Sequence, residues 1–85
     1  MKLRLAVDAA VKSGYTYKET YVENGVTIRS FKARNGCVAL LLLDSNGIVR
    51  SVDLIPAWDA ETLTLVSPTW EDIRLMAHAF ANRNS

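Results

Sequence analysis

Seven apolar residues in a row, Cys37–Leu43, lie between Asn35-Gly36 on one side and Asp44-Ser45-Asn46-Gly47 on the other. A run that short, fenced by turn residues, predicts a strand buried on both faces rather than a helix. Two covering layers are then required, and the rest of the chain has to supply them.

The neighbouring segments supply strands on either side. Tyr15–Glu23 and Val26–Arg34 flank Asn24-Gly25, a two-residue hairpin signal in which both positions need positive φ. With that turn, Tyr21 faces Ile28, Tyr17 faces Lys32 and Tyr15 faces Arg34. Treating Asn35-Gly36 as a second two-residue turn sets Arg34 opposite Cys37, Ser30 opposite Leu41 and Ile28 opposite Leu43. The pleat then gathers Tyr15, Tyr17, Tyr21, Ile28, Leu41, Leu43, Val52 and Leu54 on one face. Phe31, Ala33, Val38, Leu40, Leu42 and Val49 gather on the other. A strand over Ile48–Ile55 ends at Pro56, which has no N–H to give a ladder. Pro56–Glu61 is expected as a loop and Thr62–Val66 as a short fifth strand.

Helices are expected at both ends. Leu3, Ala6, Val7, Ala10 and Val11 recur at helical spacing over residues 3–13, and Ser13-Gly14 is a stop. Ser67-Pro68 reads as N-cap and first helical position, with Glu71 and Asp72 where the helix dipole favours acids. Trp70, Ile73, Met76, Ala77, Phe80 and Ala81 form its stripe, to about Asn82. The expected fold class is α+β: one domain over residues 1–85, an antiparallel meander of four to five strands flanked by an N-terminal and a C-terminal helix.

The helix–strands–helix order resembles the double-stranded-RNA-binding domain as topology. That family opens its second helix with a basic cluster. The matching place here, Ser67-Pro68-Thr69-Trp70-Glu71-Asp72, is acidic, so the family's phosphate contact does not carry over.

Composition argues against several chemistries. The single cysteine, Cys37, allows no internal disulfide and no multi-cysteine zinc site. Inside the central run it reads as a buried thiol acting as a small hydrophobe, which points to a reducing cytoplasm. No apolar run reaches the ~20 residues that span a bilayer, and Arg4 and Asp8 break the N-terminal stretch where a signal peptide would be apolar. His78, the one histidine, falls at the edge of the last helix's stripe with no nucleophile close in sequence. The four glycines are explained by turns and a helix stop rather than by a phosphate loop. Asp53, Asp59 and Glu61 are close in sequence but divided between a strand and a loop. No enzyme activity, cofactor or metal is expected.

Binding is what remains. The expected function is a small cytoplasmic protein-binding module, an accessory or inhibitor protein of the kind phages and mobile elements encode, acting by occluding or bridging a protein partner. Candidate contacts are Trp58 in its loop, Leu5 and Leu75 on the outer sides of their helices, and Tyr15 and Tyr17 at the sheet edge. If both helices share one sheet face, the other needs a second chain, so a homodimer is expected. Charge is divided unevenly: residues 1–34 hold seven basic and three acidic groups, residues 35–85 three basic and six acidic. A nucleic-acid surface is the alternative, with Lys18, Arg29, Lys32 and Arg34 contacting phosphates beside the tyrosine rings. A third possibility is a pocket for an anionic ligand such as a nucleotide, lined by Tyr21, Trp58 and Trp70.

Overall fold

The computed structural model describes residues 1–68 and Arg74. The C-terminal helix expected beyond Pro68, with Trp70, Leu75 and His78, lies outside the described residues.

Helix α1 (Leu3–Lys12) leads into strands β1 (Tyr15–Glu23), β2 (Val26–Ala33), β3 (Val38–Leu43) and β4 (Val49–Ile55). These four pair in sequence order as an antiparallel sheet. Strands β5 (Ala57–Asp59) and β6 (Thr64–Val66) form a separate two-stranded hairpin. Two expectations are corrected there. Residues 57–59, expected within a loop, are a strand that carries Trp58, and the fifth strand expected over Thr62–Val66 is the shorter Thr64–Val66, paired in this hairpin and not in the four-stranded sheet.

The α1 stripe is short of side chains large enough to form a core alone, so the sheet provides the bulk. Ala6 and Ala10 are fully buried, which lets the helix backbone come close to the rings and leucines beneath it. The helix has no side-chain N-cap. Its entry is instead pinned by two long-range backbone bonds: the Met1 amine donates to the Val49 carbonyl at 3.1 Å, and the Val49 N–H returns to the Met1 carbonyl at 2.9 Å.

At Asn24-Gly25 both residues take positive φ, 52° and 79°, as a type I′ turn demands. From there Tyr21 pairs with Ile28, as expected. Two devices then shift the register elsewhere. A bulge at Lys18 puts Tyr17 opposite Phe31 and Tyr15 opposite Ala33 instead of Lys32 and Arg34. The β2–β3 turn is also longer by one. The Ala33 N–H donates to the Cys37 carbonyl at 2.8 Å, leaving Arg34-Asn35-Gly36 as a three-residue loop with Gly36 at φ 92°. Ile28 therefore faces Leu42, and Ser30 faces Leu40.

A one-residue slip exchanges faces. Phe31, Ala33 and Val49 belong with Leu41 on the helix side, not with Leu40. Tyr21 and Ile28 move to the far face with Val38, Leu40 and Leu42. The core lies on the helix side: Tyr15, Phe31, Cys37, Ala39, Leu41, Leu43 and Val49 pack with Met1, Ala6 and Ala10. On the far face Ile28 is buried, while Tyr21, Val38, Leu40 and Leu42 are half-buried.

Candidate protein-docking hairpin

Past the end of the four-stranded sheet, β5 and β6 show opposite characters on their two sides. Ala57 faces Val66 in the ladder, and both pack against the core. Trp58 faces Leu65 one step along, so the pleat turns both outward. The hairpin is fixed from below: the Cys37 thiol donates to the Val66 carbonyl at 3.1 Å. Gly36 lies so close that a Cβ built on it would stand 3.0 Å from the Ala57 Cβ.

The connection is residues 60–63. The Asp59 carboxylate (Oδ1) accepts the N–H groups of Glu61 at 2.9 Å and Thr62 at 3.4 Å, an Asx turn. The Thr62 and Thr64 hydroxyls are bonded at 2.6 Å. This ordered turn ends on Leu63, a leucine at φ 56°. The left-handed region costs an L-residue other than Gly or Asn roughly 1–2 kcal/mol. Leu63 recovers little of that by burial, being 71% exposed. Trp58 is 60% and Leu65 64% exposed. The hairpin and its turn thus hold three large apolar side chains in water. Along the chain, residues 51–68 carry Asp53, Asp59 and Glu61 and no basic group.

Among the candidates read from sequence, Trp58 lies within this patch. Leu63 and Leu65 join it; their alternation across Thr62–Val66 is the signal that could have found them. Leu5 is 41% exposed on the outer arc of α1. Tyr15 is 2% exposed, so its ring is a core member and offers no face to a partner. Tyr17 is half-exposed at 48%. Its ring meets Phe31 edge-on at 5.7 Å, its hydroxyl is bonded to Thr20 at 2.8 Å, and the Arg29 guanidinium lies 5.9 Å above its centre.

The four cations are not brought together. Arg29, opposite Leu41, is on the helix side, whereas Lys32, opposite Val38, is on the far face. Lys18 is at the bulge of the edge strand and Arg34 in the β2–β3 loop. Nor do Tyr21 and Trp58 meet: Tyr21 shares a row with Ile28 and Leu42, and Trp58 lies beyond the Val38–Ile55 row at the sheet's end. An open hollow of about 600 Å³ lies elsewhere, between the end of α1 and the β2–β3 loop, bordered by Val11, Ser13, Tyr15 and Arg34. Among the described residues no group of three or more His, Cys, Asp or Glu could hold a metal ion. No helix among them is long and apolar enough to cross a membrane.

Set against known proteins, the chain matches no family model, no curated protein and no solved structure.

Proposed function

We propose that this chain is a small, non-catalytic, cytoplasmic protein-binding module, an accessory or inhibitor protein that docks through the β5–β6 hairpin. Leu63 carries the proposal. An exposed leucine in a left-handed conformation lowers the fold's stability with little intramolecular return, and strain of that kind clusters at functional sites. Trp58 and Leu65 beside it give the patch the large apolar anchors that dominate protein interfaces. The proposal includes the helix expected beyond Pro68, whose stripe of Trp70, Ile73, Met76 and Phe80 would give Ile28, Leu40 and Leu42 their second layer. The nucleic-acid alternative draws on the Arg29–Tyr17 pair alone.

The test opposes two readouts. Leu63→Gly relieves the left-handed penalty and raises stability by about 0.5–1 kcal/mol, several degrees in melting temperature for a domain this size. The same change should abolish photo-crosslinks formed in cells from a benzophenone side chain placed at Leu65. Undiminished crosslinks in Leu63→Gly would refute the proposal, and an unchanged melting temperature would remove the strain that carries it.

A further inference from the structure

The hairpin patch and the outer arc of α1 are complementary. The hairpin offers Trp58, Leu63 and Leu65 beside Asp59 and Glu61, with no cation from residue 51 to 68. The outer arc of α1 offers Leu5, 41% exposed, and Val11, 58% exposed, among exposed Arg4 and Lys12, with Asp8 between them. Exposed Lys2 adds a further cation just before the helix. Each surface joins large apolar side chains to one dominant sign of charge, and the signs are opposite.

We propose that the hairpin docks on α1 of a second copy of this chain, and reciprocally, as a two-fold dimer. The proposal rests on the hairpin being a protein-docking element and adds the identity of what it docks on. Both halves of the contact lie on each chain, so reciprocal docking uses each patch once and closes; docking in one direction only would grow open chains. Opposite charge at the rim fixes which surfaces meet and makes association sensitive to salt.

A charge exchange tests this with the full chain. One variant carries Arg4→Glu and Lys12→Glu; the other carries Ala60→Lys and Glu61→Lys. All four positions are exposed. In α1 an acid gained in the first turn should offset a base lost from the last, and melting curves of both variants check that they fold. Sedimentation of the wild type at ~50 mM salt should show a dimer at concentrations of tens of micromolar, weakened on the order of tenfold or more by ~0.5 M salt. Each variant alone should dissociate at least about tenfold more readily. An equimolar mixture should restore the dimer, because each of its two contacts again joins an acidic to a basic surface. A wild type that stays monomeric at ~100 μM, or a dimer that neither variant weakens, would overturn the proposal. If the Leu65 crosslinks then join a different protein and are lost in Leu63→Gly, the docking hairpin stands and the second copy does not. Crosslinks that persist in Leu63→Gly remove both.

Discussion

Gly36 meets two constraints at once. Its φ of 92° suits a residue without a Cβ, and a methyl group there would press on Ala57 at 3.0 Å. Gly36→Ala should therefore destabilise the fold by about 1–3 kcal/mol, through backbone strain and displacement of β5; a urea titration measures it. Asp44 shows a different local economy. Its Oδ1 accepts from the Asn46 and Ile48 N–H groups at 2.9 and 3.0 Å, and Oδ2 accepts from Arg50 Nε at 2.7 Å. The Ile48 amide, more than Arg50, holds this carboxyl below the usual aspartate range, against an opposing contribution from desolvation. A depressed folded pKa stabilises the fold above the unfolded value, near pH 4, and that stability is lost as pH falls through the folded value. Urea midpoints of the wild type and Asp44→Asn should accordingly differ at pH 6 and converge toward pH 3. A difference that stays constant over that range would dissociate the turn from the acid sensitivity.

At the scale of elements, the sheet was legible where composition forces a choice and not where a turn can add one residue. The Cys37–Leu43 run, Asn24-Gly25 and Pro56 each admit few structures, and β1 to β4 follow from them. Asn35-Gly36 admits two: a two-residue turn, or a three-residue loop with the glycine left-handed. The second is present, and that one residue exchanged the faces of Phe31 and Ile28. The bulge at Lys18 has no sequence mark either. Within the candidate site, Trp58 was visible as an apolar residue among turn formers and Leu63 and Leu65 through their alternation, but the strain at Leu63 was not, because nothing in the sequence announces a leucine at positive φ. The corrected faces make a prediction. Leu41 is fully buried against α1, while Leu40 is half-buried on the far face. Leu41→Ala should cost about 2–5 kcal/mol, as core leucine truncations do, and Leu40→Ala clearly less. Equal costs would mean that the far face is sealed as tightly as the helix side.

For the whole molecule, the decisive quantity is where charge points rather than how much there is. The net charge is +1, and a protein binds a polyanion only through cations that share a surface. Here Arg29 and Lys32 are separated by the thickness of the sheet, and Lys18 and Arg34 sit at the edge strand and the β2–β3 loop. One strand of nucleic acid crossing the Tyr17 ring would reach Arg29 and at most one further cation. Each phosphate contacted by a single strand contributes about −0.7 to the slope of log K against log salt. The expected slope is therefore about −0.7 to −1.4, with dissociation constants of ~100 μM or weaker near physiological salt. Fluorescence anisotropy with a labelled oligothymidine at several salt concentrations measures both. A slope near −3 would require all four cations on one path, which this arrangement of faces forbids. Because Arg29→Ala would remove the contact nearest an exposed ring, it should flatten whatever slope is found, while Lys32→Ala, on the opposite face, should leave it unchanged.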